Sequence, residues 1–137
     1  GLTDFTFAKS NSLESCKSRL MQQTAESENY YVTISQGIQE STLIVSSQLE
    51  DEVNAIFASE KKLSSKSGLS SITIQLDESN VEISGIYYYI FKKLAWVGIN
   101  IVEVISTTNE FTIVVAEEDI DQSFSILMGL KKKRQGL

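Results

Sequence analysis

Apolar and polar residues change period along this chain in an order that then repeats. From Ser71 to Leu76, apolar Ile72, Ile74 and Leu76 alternate with polar neighbours, the two-residue period of a half-buried strand. A polar turn, Asp77 to Asn80, follows. Ile83, Ile86, Ile90 and Leu94 are then spaced three and four apart, which predicts one apolar face of a helix ending near Gly98. Asn100 to Thr107 is rich in β-branched residues and reads as a second strand, Thr108-Asn109-Glu110 as a hairpin turn, and Phe111 to Ala116 as a third strand. A last helix is expected from Asp119 to Lys131, with Ile120, Phe124 and Leu127 turned inward and acidic residues near its positive N-terminal end.

The first half carries the same order. Subtracting 70 from Ile83, Ile86 and Ile90 gives Leu13, Cys16 and Leu20; from Ile101, Val102 and Val104 it gives Tyr31, Val32 and Ile34. The register continues ungapped from Glu110, Thr112, Ile113, Val114 and Val115 onto Glu40, Thr42, Leu43, Ile44 and Val45, and from Asp121, Ile126 and Leu127 onto Asp51, Ile56 and Phe57. Self-similarity that holds one offset through successive elements marks a repeated structural unit. Elements are therefore expected at Thr3 to Phe7, Ser12 to Gln23, Tyr30 to Gln36, Ser41 to Ser47 and Leu49 to Ser59. This predicts one repeat at 1–62, a linker at 63–68 within the Ser- and Lys-rich stretch Lys61 to Gly68, and a second repeat at 69–133.

A βαββα order with a hairpin between the helices predicts an α+β, ferredoxin-like fold: two βαββα(β) repeats, each an antiparallel sheet with both helices packed on one face. No strand is evident after the second helix of either repeat. Each sheet is thus expected to be completed across the repeats or between chains, and a homodimer would cover the open edges.

Composition narrows the chemistry. Eighteen acidic against 12 basic residues give a net charge of −6, which disfavours nucleic acid and anionic membrane surfaces. The basic run Lys131 to Arg134 reads as a solvated tail. No apolar stretch is long enough to span a bilayer, since Ile83 to Ile101 is broken by Lys92 and Lys93. With no histidine and a single cysteine, Cys16, neither a metal site nor an internal disulfide is expected, and the default is a cytoplasmic protein without cofactor. Cys16 sits at a core-facing helical position with no histidine to activate it, and no loop matches a phosphate-binding signature, so the chain is not read as an enzyme. Acids Asp77, Glu78 and Glu82 read as helix-start capping rather than an acid–base pair. The chain opens on Gly rather than Met, which is read as a cut edge with any catalytic domain upstream.

Several stretches of the second repeat resemble a known family. Ser84-Gly85-Ile86, Leu94 to Ile101, Glu103 to Ser106 and Glu110 to Val115 resemble the ACT domain, the small-molecule-sensing module of amino-acid metabolism, and in particular the tandem pair at the C-terminus of aspartate kinases. The resemblance covers the second repeat almost completely and the first through pattern alone. It implies an amino acid or similar metabolite bound where the loop after strand one meets strand two of a paired copy. Carried onto this chain, the site falls on Asp77, Ser79, Asn80, Ser84, Gly85 and Ile86, with Asn100, Ile101 and Val102. Helix-start amides would take the ligand's carboxylate, a glycine would let the backbone approach, and Asp77 would take its ammonium group. The first repeat has Ser15 in place of Gly85 and Tyr30 in place of Asn100, so it is not expected to bind the same ligand in the same way.

Each of these residues has a plainer reading. Gly85 serves close packing at a helix start equally well, and Asn100 after Gly98 finishes a turn. Tyr87, Tyr88 and Tyr89 point in different directions on a helix, so core and interface packing is their expected use, and Trp96 is expected to act as a hydrophobic anchor. An ACT-like dimerisation module without ligand is the alternative function.

Overall fold

The computed structural model describes residues 1–27, 29–75, 83–107 and 109–135, with Ile83, Ser84, Ile86 and the stretch 130–135 described by backbone alone. Contacts divide the chain into two compact units, Gly1–Leu69 and Ser70–Leu137.

The first unit contains β1 (Leu2–Ala8), α1 (Leu13–Thr24), β2 (Val32–Gln36), β3 (Glu40–Ser46), α2 (Glu50–Ile56) and the first part of β4 (Lys62–Gln75). Its strands lie in the order β2-β3-β1-β4, every adjacent pair antiparallel. That is a complete ferredoxin-like βαββαβ sheet. Its last strand corrects an expectation, because the segment read as a linker, 63–68, pairs with β1 from Phe7↔Lys62 to Leu2↔Leu69. Composition hid it. Ser and Lys side chains along Lys62–Gly68 are all exposed and show no alternation, while the strand is held by backbone bonds that any residue can make. Midway along β4, Gly68 takes φ +69, a left-handed conformation suited to glycine, where three steps of β4 oppose two of β1 as a bulge.

The core of this unit explains why α1 and α2 form. Leu13, Cys16 and Leu20 on α1 and Val53 and Ile56 on α2 are buried against Phe5, Phe7, Leu43 and Val45 of the strands. Phe57, just after α2, stacks on Phe7 with ring centroids 4.7 Å apart. Burial of each such side chain contributes roughly 1.5–3 kcal/mol.

The second unit contains the remainder of β4, then α3 (Ile83–Trp96), β5 (Ile101–Ser106), β6 (Glu110–Ala116) and α4 (Ile120–Gln135). Its strands lie in the order β4-β6-β5, and β5 pairs antiparallel with β6. The offset of 70 relates the starts of α1 and α3, of β3 and β6, and of α2 and α4. It also preserves the register, since Val104↔Ile113 and Ser106↔Phe111 repeat Ile34↔Leu43 and Gln36↔Ser41.

The first strand obeys a different offset. Thr73 Oγ1 meets Thr112 Oγ1 at 2.7 Å as Thr6 Oγ1 meets Thr42 Oγ1 at 3.2 Å, and Ile72 and Ile74 pack on the second core where Phe5 and Phe7 line the first. Those correspondences need 67 rather than 70. The strand-to-helix connection is accordingly three residues longer in the second unit, 76–82 against 9–12.

The α4 reading is rotated by one position. Ser123 is fully buried and Phe124 is 54% exposed, so the inward row is Ile120, Ser123 and Leu127 rather than Ile120, Phe124 and Leu127. The first unit places Val53 at the position matching Ser123. Reading for apolar residues alone favoured the phenylalanine over the serine beside it.

Candidate functional site

The end of α3 is built by a glycine. Gly98 has φ +77, its N–H donates to the Ala95 carbonyl at 3.1 Å, and the Ile99 N–H donates back to the Leu94 carbonyl at 3.0 Å. Those two bonds form a Schellman motif, sealed by the buried pair Leu94 and Ile99. The stop delivers Asn100, exposed, to the mouth of β5, followed by half-buried Ile101 and Val102.

Ile101 pairs with Val115 but Glu103 pairs with Val114, so two steps of β5 oppose one of β6 and Val102 is the extra residue of a bulge. The first unit runs Val32↔Val45 to Thr33↔Ile44 with no shift. Bulges leave backbone groups outside the ladder and are over-represented beside binding sites. This one falls on a residue selected from the sequence, although only the structure reveals the irregularity.

Of the other selected residues, Ser84, Gly85 and Ile86 lie in the first turn of α3, where Gly85 is exposed. Asp77, Ser79 and Asn80 lie outside the described residues, as do Glu78 and Glu82. The two halves of the selected site do not meet within one unit. From Gly85 to Trp96 the helix carries the chain roughly 17 Å at ~1.5 Å per residue, so the first turn of α3 and Asn100 to Val102 sit at opposite ends of it.

The matching loop of the first unit is fully described and is closed by its own residues. Ser10 Oγ donates to Glu60 Oε1, Ser12 Oγ to Glu60 Oε2 at 2.5 Å, and Ser59 Oγ to Glu60 Oε2 at 3.2 Å. These hydroxyls, that of Ser10 first, hold the Glu60 carboxyl below the usual glutamate range because they bond its charged form. Cys16 is buried and its thiol approaches the Ile56 carbonyl at 3.4 Å; burial first, then the Glu60 charge, raises its pKa. A thiol raised in this way is a poor nucleophile.

A pair of polar contacts that pattern reading missed recurs in both units. Lys17, buried on α1, donates to Gln36 Oε1 at 3.2 Å, and Tyr87 OH meets Ser106 Oγ at 2.6 Å. The two pairs are related by 70, each joining the first helix of its unit to the end of the following strand.

The outer face of α3 departs from expectation. Tyr87 and Tyr89 pack on the core, as expected for tyrosines there, but Tyr88 is 68% and Trp96 78% exposed, so Trp96 is not buried in the core of its unit. Lys92 Nζ lies 5.7 Å from the Tyr88 ring centroid and 5.8 Å from that of Trp96. Among the described residues no cluster of metal-ligating side chains is present, and no helix is long and apolar enough to cross a membrane.

No protein-family model and no curated protein matches the chain by sequence. Solved structures do match in fold. The aspartokinase of alpha and beta subunits superposes with a TM-score of 0.73 at 13% identity, covering 92% of this chain and 89% of that one. The ligand-free regulatory subunit of aspartate kinase from Thermus thermophilus gives 0.71 at 10% identity, over 93% and 91% of the two chains. Aspartate kinase from Clostridium acetobutylicum gives 0.68 at 14% identity over 91% of this chain and 31% of that one, so this chain spans about a third of that enzyme. In fold, therefore, the chain is similar to the regulatory portion of aspartate kinases and, with its two βαββα repeats, resembles their tandem ACT pair.

Proposed function

We propose that this chain is a regulatory module of ACT type that binds a small molecule, an amino acid, and passes its occupancy to a partner or to a neighbouring domain. The observation that carries this reading is the likeness to regulatory subunits of aspartate kinase over about nine-tenths of both chains. One aspartokinase of similar fold, that of E. coli, is solved in complex with lysine and aspartate, which supports amino acids as the ligand class. The chain acts in the cytoplasm as a homodimer, without catalysis of its own.

In this reading the ligand carboxylate sits at the first turn of α3 in one copy, on Asp77, Ser79, Asn80, Ser84, Gly85 and Ile86. Asn100, Ile101 and Val102 of a second copy close it. Separation of the two segments by α3 supports a site between copies, and the Val102 bulge supplies backbone groups that the ladder does not use. A second reading, a dimerisation module without ligand, draws on the exposed Tyr88, Trp96 and Val104.

A thermal-shift screen over the common amino acids separates the two, because a ligand that binds only the folded state stabilises it, by about 2.7 kcal/mol at a hundredfold excess over Kd. At least one amino acid is expected to raise the melting temperature. A flat screen across all of them supports the dimerisation module.

A further inference from the structure

We infer that Glu60 is an internal latch of the first repeat, whose carboxylate occupies the hydroxyl cradle of the β1–α1 loop and closes it to carboxylates from outside. The contact is made from both sides. Ser10 and Ser12 of the loop and Ser59 beside it each donate a hydroxyl to Glu60. Ser12 stands at the N-cap position of α1, yet its side chain makes no capping bond; its hydroxyl is given to Glu60 instead. A serine at that position ordinarily bonds a free amide of its own helix, so its diversion reflects the stronger pull of a charged acceptor.

Backbone contacts bring Glu60 to the cradle. The Ala8 N–H donates to the Lys61 carbonyl at 2.9 Å, which ties the end of β1 to the residue after Glu60, and the Glu60 N–H donates to the Phe57 carbonyl at 3.0 Å. The carboxylate therefore reaches the loop from a fixed base and loses little further freedom in binding there. Such an intramolecular anion acts at high effective concentration, against which a free carboxylate competes poorly.

The second repeat lacks the latch residue. At the offset of 70, Glu60 corresponds to Leu130, Ser10 to Asn80 and Ser12 to Glu82. The cradle of the first repeat is thus occupied by the chain's own side chain, while in the second the matching sequence position, Leu130, falls within α4. The latch stands on its own hydrogen bonds, and only its consequence for which repeat takes the ligand rests on the amino-acid reading.

Sodium acetate is the probe, compared with sodium chloride at equal ionic strength, using the full chain labelled with 15N. In the wild type the amide resonances of Ser10 to Leu13 are expected to stay in place. In Glu60→Ala they are expected to move with acetate, and Ser10→Ala with Ser12→Ala added to that variant should remove the response. Equal acetate responses in the wild type and Glu60→Ala would overturn the latch, as would no response in Glu60→Ala. Because probe and resonances belong to the first repeat, the outcome is independent of whether the amino-acid screen succeeds.

Discussion

In the first repeat the connection from strand to helix is four residues, 9–12, and it is tied down by Glu60; in the second it is three residues longer, and the strand that follows the helix is bulged at Val102. Elsewhere the two share the starts of both helices and of the third strand, the hairpin register and even the position of a polar contact between first helix and second strand. The two segments that the ACT reading assigns to ligand are among the places where the repeats diverge, as is the second helix, 7 residues long in α2 and 16 in α4. One framework with a core in each unit has been kept, while the loop of the first copy is closed by its own carboxylate.

The cores offer the largest test of that comparison. Phe57 and Leu127 occupy matching positions, but only Phe57 stacks on an aromatic ring. Phe57→Ala should cost about 3–5 kcal/mol and Leu127→Ala about 2–5, followed by urea unfolding and circular dichroism. A consistently larger loss at Leu127 would contradict the expectation that the contact of the Phe57 ring with Phe7 adds to its burial.

Next in size is Gly98→Ala. Nothing lies within 4 Å of where its Cβ would stand, so the cost comes from the left-handed backbone alone, about 1–2 kcal/mol. Thermal unfolding showing no loss would mean that the Schellman stop does not set the entry of β5. In the opposite direction, Ser123→Ala should stabilise by about 1 kcal/mol, because the Ser123 hydroxyl is buried with no hydrogen-bond partner among the described residues, where the first repeat has Val53. A destabilised Ser123→Ala variant would show that the hydroxyl is paired in solution.

These positions also show what was legible in the sequence. Apolar spacing and the offset of 70 located both helices and the hairpin of each repeat, because core burial forces those residues to be apolar at fixed intervals. Lys62–Gly68 was illegible as a strand since its side chains are exposed and pairing through backbone bonds imposes no pattern on them. Ser123 was passed over for Phe124 because a buried serine violates the pattern used to find buried faces. The bulge at Val102 and the Glu60 latch depend on pairing between distant residues, which periodicity does not record. Asp77, Ser79 and Asn80 rest on the resemblance alone.

The smallest effect expected is that of pH on the latch. Glu60 has a folded pKa below its unfolded value, so it contributes stability at pH values above the ordinary glutamate range and loses that contribution as pH falls through the folded value. Wild type should melt above Glu60→Gln at neutral pH, and the gap should close on acidification. A gap that widened toward acid would place the sign of the interaction the other way.

The central proposal, that the second repeat binds an amino acid at the first turn of α3, is tested most directly by titration calorimetry of whichever amino acid most raises the melting temperature. It is titrated into the wild type and into Gly85→Val. Gly85 is exposed in that turn, so valine there should leave the fold standing and block the approach of the ligand. The account predicts heat of binding for the wild type and none for Gly85→Val, with the variant still folding. Intact affinity in Gly85→Val together with a lowered melting temperature would contradict the assignment and leave Gly85 a packing residue.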